Sequence, residues 1–208
     1  MIRFLYCHLI SRTTSAHVNV ITWLNRVWHR PLLIAVAVLM MLVTSIFVVQ
    51  AANKVWSGTG GSTAWTNTNN WSGGQPGSAD IAQFDSATNN TNTVGISGTG
   101  TEIIQAIEFT SNRVNPMAIG ASGTTNGSLA LQLNGTTINS VTHTVLRNNS
   151  SQLMTIQSNN GQNNPNTLSV SLANTTNNII NIDGTGGITI SSIITGASKN
   201  LTKAGGGS

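Results

Sequence analysis

The sequence has little charge, few aromatic residues and a single cysteine. Charged residues make up 7% of the 208 residues and aromatic residues 5%, and the cysteine is Cys7. Beyond residue 52 the chain has no cysteine, which excludes a disulfide framework in that part. His143 is the one histidine there. Because reactive side chains are so scarce, we expect no enzyme activity, no metal site and no cofactor.

The charges divide the chain near residue 52. Four of the nine basic residues precede this point, whereas all five acids follow it together with the other five bases. The sequence pI of about 10.0 therefore reflects the N-terminal segment. Balanced charge beyond residue 52 offers no basic surface, and we expect no nucleic-acid partner.

Residues 1–51 read as a long leader for export. Residues 32–49 are almost entirely apolar, and they follow Arg26 and Arg30. As a helix this run is about 27 Å long at roughly 1.5 Å per residue, close to the roughly 30 Å of a hydrocarbon core. The flanking arginines stay in the cytoplasm, so everything after residue 52 is exported. The pattern predicts an N-terminal signal or transmembrane helix that engages the export machinery.

Two fates of this leader remain open. Val49 and Ala51 are residues of the type that suits signal-peptidase cleavage after Ala51. A secretory apolar region usually has about 7 to 15 residues, so the longer run 32–49 also suits a permanent signal anchor. Cleavage predicts a released protein, and an anchor predicts one tethered to the inner membrane.

Beyond the leader, short apolar runs alternate with clusters of Gly, Asn, Ser and Thr, which is typical of strands. No run has helical spacing, and residues 129–133 and 168–172 alternate strictly between apolar and polar side chains. The sequence therefore predicts an all-β fold. The predicted strands are residues 80–84, 93–97, 103–109, 117–120, 129–133, 141–146, 153–156, 168–172, 179–182 and 188–194.

Strands at this spacing are compatible with a sandwich, a barrel or a β-solenoid. The composition favours the solenoid, because Val, Ile and Leu stack in its core while Asn ladders form hydrogen bonds at its corners. Turns of roughly 20 to 29 residues give about five to seven turns. Stacked at about 4.8 Å, these turns form a rod on the order of 30 Å long.

Two motifs mark the ends of the exported part. Trp56, Trp65 and Trp71 begin the pattern W-x8-W-x5-W-S-G-G-x-P-x3-D-x3-F, and residues 201–208 read L-T-K-A-G-G-G-S. Both resemble the autotransporter-associated β-strand repeat family, in which a Trp-rich segment precedes a right-handed parallel β-helix and repeats begin L-T-K-x-G-x-G. The resemblance implies a Trp-rich N-terminal cap at residues 52–84 and β-solenoid repeats at residues 85–208.

In that family the passenger region continues to a C-terminal β-barrel. Residues 201–208 match only the first half of the repeat signature, and barrel-like strands are absent from this sequence. We therefore expect the chain to be the N-terminal piece of a longer protein, with incomplete repeats.

The three tryptophans have two interpretations. Bulky indoles can cover the open edge of a solenoid, which otherwise exposes unpaired backbone groups. Alternatively, exposed Trp56, Trp65 and Trp71 stack on sugar rings, as aromatics do in carbohydrate-binding modules. In both cases Gly73, Gly74 and Pro76 predict a tight loop, and Asp80 is expected to order it.

The remaining polar residues give only weak signals of a site. Alternation predicts that His143 lies on the same side of its strand as Val141 and Val145. Glu102 and Glu108 flank an apolar run at a spacing that allows both to share one face, as the carboxyl pair of a glycoside hydrolase must at a defined separation; the alternative is a solvated strand face. Asp183 lies in a glycine-rich segment that we interpret as a turn and not as a calcium-binding or phosphate-binding loop.

Together these patterns predict an exported, non-catalytic protein at the cell surface or outside a Gram-negative-type bacterium. As the front of an autotransporter-type passenger, it would act as a stalk or adhesive scaffold that contacts surface glycans or a neighbouring cell. The alternatives are a secreted carbohydrate-binding module and the N-terminal piece of a β-helical polysaccharide-degrading enzyme.

Overall fold

A computed structural model describes residues 51–85, 93–98, 100–123, 127–159, 166–173 and 177–207. The predicted signal or transmembrane helix at residues 32–49 lies outside these ranges, as does Val49 of the predicted cleavage site. Among the described residues, no helix is both long enough and apolar enough to span a membrane.

The described residues form three β-sheets and one short 3-10 helix at Thr68–Asn70. The strands of sheet A are β1 (Ala52–Trp56), β2 (Trp71–Ser72), β3 (Asp80–Phe84), β6 (Ala106–Phe109), β9 (Thr136–Ile138), β10 (Val141–Asn148), β13 (Asn177–Ile182) and β16 (Asn200–Ala204). The strands of sheet B are β4 (Thr93–Ile96), β7 (Met117–Ala121), β11 (Met154–Asn159) and β14 (Ile188–Ile190). The strands of sheet C are β5 (Gly100–Ile104), β8 (Ser128–Leu133), β12 (Thr167–Leu172) and β15 (Ile193–Thr195).

The chain visits the three sheets in a fixed order. It passes from sheet A to sheet B to sheet C in β3–β5, repeats this circuit three more times, and re-enters sheet A at β16. From β6 onwards each strand of a circuit pairs in parallel with the equivalent strand of the circuit before it. Among the described residues the antiparallel pairings are β1 with β2 and β9 with β10, and β1 pairs in parallel with β3. The predicted all-β class is confirmed, with parallel sheets.

The circuits differ in length. Ala82 pairs with Ile107, 25 positions later, and Ile180 pairs with Lys203, 23 positions later. Between them lie longer circuits, with 39 positions from Ile107 to Leu146 and 34 from Leu146 to Ile180. The predicted turn of roughly 20 to 29 residues is therefore wrong for the middle of the chain. The inserted β9 hairpin accounts for much of the 39-residue circuit, and the described residues hold four circuits instead of five to seven.

The core lies between the sheets and consists of apolar columns. In sheet B, Val94, Ile119, Ile156 and Ile190 stack in register on successive strands. Such columns arise because alternate residues of a strand point to one face, and parallel in-register pairing places equivalent residues next to each other. The corresponding columns are Ala82, Ile107, Leu146 and Ile180 in sheet A, and Leu131, Val170 and Ile194 in sheet C.

Two predicted strands are each divided by a corner. The run 103–109 contributes the end of β5 and all of β6, with Gln105 between them. The run 188–194 is divided at Ser191 and Ser192 between sheets B and C. The corners are held by hydrogen bonds to the preceding circuit, such as Gln105 N to Asp80 O at 2.8 Å and Ser191 N to Ile156 O at 2.8 Å. Strands β1, β2, β9 and β16 were not predicted.

The β9 hairpin covers part of the outer face of sheet A. Asn139 and Ser140 at its tip have positive φ values of 49° and 65°. Ile138 from this hairpin packs with Ile81 and Ala106, which face away from the main core. The hairpin thus forms a second, small apolar cluster on the outside of the sheet.

Candidate functional site

The Trp-rich segment, residues 52–84, extends sheet A at its N-terminal edge. β1 pairs in parallel with β3, and β2 then pairs antiparallel with β1, so that Trp56 lies opposite Trp71. Gly73 and Gly74 follow β2 with φ values of 81° and 89°, which glycine adopts without steric cost. The predicted tight loop at these glycines is therefore present.

The three indoles form one buried cluster. Trp56 and Trp65 are fully buried, and Trp71 is 4% exposed. Trp71 lies between the other two, with ring centroids 4.9 Å from Trp56 and 4.8 Å from Trp65 in edge-to-face geometry. Its Nε1 donates a hydrogen bond to the Trp65 carbonyl at 2.7 Å. Aromatic pairs in this geometry contribute beyond their buried area.

The cluster continues into the core through two phenylalanines. The Phe84 ring lies 5.7 Å from Trp71 and 5.4 Å from the ring of Phe109, its in-register neighbour one circuit later. Arg113 follows, with its guanidinium carbon 6.0 Å from the Phe109 ring centroid and its Nε donating to the Asn115 carbonyl. Burial lowers the pKa of the Arg113 guanidinium below its usual value.

The Asn70 side chain forms hydrogen bonds that hold the loop containing Trp65 in place. Its side chain is fully buried, and Oδ1 accepts from the Gly60 amide at 2.8 Å. Its Nδ2 donates to the carbonyls of Ser62 and Ala64, both at 2.9 Å. One buried amide side chain therefore binds three backbone groups of this loop, and the Ala64 carbonyl also accepts from the Asn67 amide at 3.2 Å.

The same loop covers the first strand of sheet B. Trp65 N donates to Gly95 O at 2.8 Å, and Gly95 N donates to Thr63 O at 2.9 Å. The segment thus supplies partners for edge groups of β4 as well as for β3. An uncovered parallel edge would present these groups to other chains.

These positions decide what the tryptophans can bind. A sugar ring stacks on an exposed aromatic face, and none of the three indoles offers one. The structure therefore gives no support to Trp56, Trp65 and Trp71 as a carbohydrate platform. Asp80 takes the role expected for it, since its Oδ2 accepts from the Gly77 amide at 2.9 Å and orders the loop.

A buried charge cluster lies elsewhere in sheet A and was not predicted. Arg147 of β10 forms ion pairs with Glu108 of β6 and, at 3.0 Å, with Asp183 after β13. Gln83 of β3 donates to the other Glu108 oxygen at 2.8 Å. The cluster joins four neighbouring strands or their ends. The sequence did show one charged residue in each of two largely apolar strands, Glu108 in β6 and Arg147 in β10. It could not show that these two residues pair, because that depends on the length of the circuit between them.

Glu102 and Glu108 do not share a face, so that prediction was wrong. Gln105 lies at a corner between them, which places Glu102 in sheet C and Glu108 in sheet A. Glu102 accepts a hydrogen bond from Gln75 at 3.1 Å, whereas Glu108 is neutralised by Arg147.

His143 also departs from the prediction. Its φ is 60°, and the pairing of β10 is irregular on both sides of it. His143 is exposed, whereas Val145 is fully buried. Because His143 has a left-handed backbone conformation, the alternation of side chains is interrupted there, and His143 does not lie on the same side of the strand as Val145.

The predicted turn around Asp183 is present, and it packs on a polar corner of the previous circuit. Fully buried Asn148 donates to the carbonyls of Gln152 and Gly187 at 2.8 and 2.9 Å. A Cβ at Gly184 would overlap the backbone of Ser150. This close contact explains the glycine. In the part of the chain that is described, no three His, Cys, Asp or Glu side chains come together as a metal site would require.

Comparison of the chain with protein-family models, curated proteins and solved structures finds no match.

Proposed function

We propose that this chain is an exported, non-catalytic protein whose residues 52–207 form a right-handed parallel β-helix that serves as a stalk or adhesive scaffold at the cell surface. The observation that carries the proposal is the repeated order of sheets A, B and C, with in-register columns on successive circuits. Such a fold suits a surface scaffold because each circuit contacts only the neighbouring circuits, so that stacking extends the exposed surface.

Handedness follows from a general rule. A connection that leaves a strand and returns to a parallel neighbour in the same sheet is right-handed in nearly all proteins, because right-twisted strands pack back in that sense. Every circuit from sheet A back to sheet A is such a connection.

The covered N-terminal end supports the view that residues 52–84 are a cap. This end holds buried tryptophans and the Asn70 hydrogen bonds, and its neighbouring edges of sheets A and B have partners. At the other end, the residues that match the L-T-K-x-G-x-G signature form β16 and the turn after it. Gly205 there has a φ of 78° and packs on the Ile182 backbone. We therefore propose an autotransporter-type passenger as the protein's class.

The proposal favours a scaffold over a carbohydrate-binding module because Trp56, Trp65 and Trp71 are buried. A module would need other residues for its sugar contacts. Surface glycans or a neighbouring cell remain the partners that we propose for the scaffold.

The stacking of circuits can be tested with paired cysteines. Thr155 and Thr189 are in-register neighbours on β11 and β14. Neighbouring strands lie about 4.8 Å apart, which is within the Cα separation that a disulfide allows. We expect Thr155→Cys with Thr189→Cys to form a disulfide in a Cys7→Ser background. The matched pair Thr155→Cys with Thr195→Cys joins different sheets and should stay reduced; the reverse result would contradict the proposed β-helix.

Export is tested by expressing the full chain in a Gram-negative host and adding protease to spheroplasts, whose permeabilised outer membrane lets the protease reach any exported segment. The proposal expects residues 52–207 outside the cytoplasm, and it expects deletion of residues 1–50 to retain the protein inside. A full chain that fractionates with the cytoplasm would contradict the proposal.

A further inference from the structure

The peptide bond between Ala51 and Ala52 lies at the first strand of the fold. Ala52 begins β1 and pairs in register with Asp80 of β3. Ala51 is half-buried, and its side chain packs against the outer cluster formed by Ile81, Ala106 and Ile138. Both residues of the bond are therefore held by the folded sheet.

The contacts that hold Ala51 come from distant parts of the chain. Ile81 and Ala106 belong to β3 and β6, and Ile138 belongs to the β9 hairpin, 87 positions beyond Ala51. This environment can form only after three separate segments have left the ribosome and packed together. Folds dominated by such non-local contacts form slowly.

We propose that folding of residues 52–207 protects the Ala51–Ala52 bond, so that the leader can be removed only before Ala51 packs against Ile81, Ala106 and Ile138. This inference rests on the proposed export function. In the hydrolysis, the hydroxyl of water adds to the Ala51 carbonyl carbon, the C–N bond breaks, and the Ala52 nitrogen takes the proton as a new amino terminus. A peptidase must take the chain around this bond into its own cleft, which requires Ala52 to separate from Asp80 and Ala51 to leave the outer cluster.

The order of two events then decides where the protein resides. A chain that is cut while it is still unfolded is released with Ala52 as its first residue. A chain that folds first keeps its leader and stays tethered to the inner membrane. The two fates that the leader sequence left open are thus alternative outcomes of one competition between folding and cleavage.

The test compares one full-length chain in two states. The chain is synthesised without membranes in detergent, and it is offered to solubilised bacterial signal peptidase either after folding or directly on dilution from urea. We expect the folded chain to be cut at least about tenfold more slowly, because cleavage then requires local opening of β1. N-terminal sequencing of the product should begin at Ala52.

A matched pair of variants assigns the protection to this contact. Ile138→Ala removes the side chain that the hairpin contributes, and we expect the folded variant to be cut several-fold faster than the wild type. Ile179→Ala changes an isoleucine of β13, three strands of sheet A away from β1, and should behave as wild type. Ile138→Val, which removes one methyl group, replaces the alanine variant if its far-UV circular dichroism shows unfolding.

Three results would overturn the inference: equal rates for the folded and diluted chains, unchanged protection in the Ile138 variant, or absence of cleavage in both states. The last result would also show that the bond is not a processing site. Export itself would then still be decided by the protease test on spheroplasts, which detects exported residues whether or not the leader is cleaved.

Discussion

The two ends of the three-sheet region are built differently. At the N-terminal end, buried tryptophans and the Asn70 side chain give the edges of sheets A and B partners. At the C-terminal end, β14, β15 and β16 each pair with one neighbouring strand among the described residues. Ile193 is 72% exposed there, and Ile194 and Leu201 are 43% and 41% exposed.

The difference shows what is needed to cover an edge. The C-terminal strands β14 and β15 place apolar residues in the same columns as the inner strands. The N-terminal segment instead uses large rings and an amide side chain, which cover apolar area and satisfy backbone groups together. Lys203 of β16 pairs with Ile180, and its Nζ donates a hydrogen bond to the Gly205 carbonyl. A charged side chain on an edge strand discourages pairing with another chain.

The largest expected effect comes from Trp65→Ala. Removing a fully buried indole should lower the free energy of unfolding by about 3 to 5 kcal/mol. Urea unfolding of residues 51–208 can be followed by far-UV circular dichroism and by fluorescence, because the three tryptophans of this part all lie at the N-terminal end. Ile193→Ala at the opposite end is the control, and an equal loss in both variants would contradict the comparison.

Arg147 lies between the two ends and forms ion pairs with Glu108 and Asp183, so Arg147→Met tests how much this charge cluster stabilises the middle of sheet A. Removing one member of a buried ion pair leaves Glu108 uncompensated and should cost about 3 kcal/mol. The double variant with Glu108→Gln should recover part of the loss, because it removes the unpaired charge. Strictly additive effects in chemical denaturation would show that the two side chains are not coupled.

A smaller effect is expected at the hydrogen bonds of the N-terminal end. Asn70→Ala leaves the Gly60 amide and two carbonyls without their side-chain partner and should cost about 2 kcal/mol. The adjacent exposed Asn69 provides the control, since Asn69→Ala should change the free energy of unfolding by less than about 0.5 kcal/mol. Indistinguishable thermal unfolding of the two variants would contradict the assigned role of Asn70.

The smallest effect on stability is expected at the C-terminal end. Ile193→Ser should change the free energy of unfolding by less than about 0.5 kcal/mol, because the side chain is largely exposed. It should also weaken concentration-dependent association, since exposed apolar edge strands favour pairing with other chains. Light scattering at several concentrations measures this, and association that is unchanged would show that Ile193 does not mediate it.

Strand positions could be predicted where alternation was uninterrupted. Residues 80–84 were predicted as a strand and form β3 with the same bounds, and 129–133 lie within β8. Corners were missed at Gln105 and Ser191 because the apolar run continues across them. Strand β9 was missed since Thr136–Ile138 has no distinct pattern, and its role depends on the sheet that it covers.

The candidate site was predicted only in part. The sequence indicated that the tryptophans and the loop before Asp80 belong together, and the structure places them in one cluster with Phe84. It did not indicate the ion pairs of Arg147, because residues 39 and 36 positions apart meet only through the register of successive circuits. Nor did it indicate the left-handed backbone of His143.

The sequence by itself determined the all-β class, the approximate strand positions and the cysteine-free composition beyond residue 52, because alternation and turn residues act locally. Only the tertiary structure decided that the tryptophans are buried, that Glu102 and Glu108 lie in different sheets, and that Ala51 packs beside Ile138. These outcomes depend on which circuit stacks on which. The length of each circuit depends on insertions such as the β9 hairpin, and the local sequence pattern does not predict these insertions.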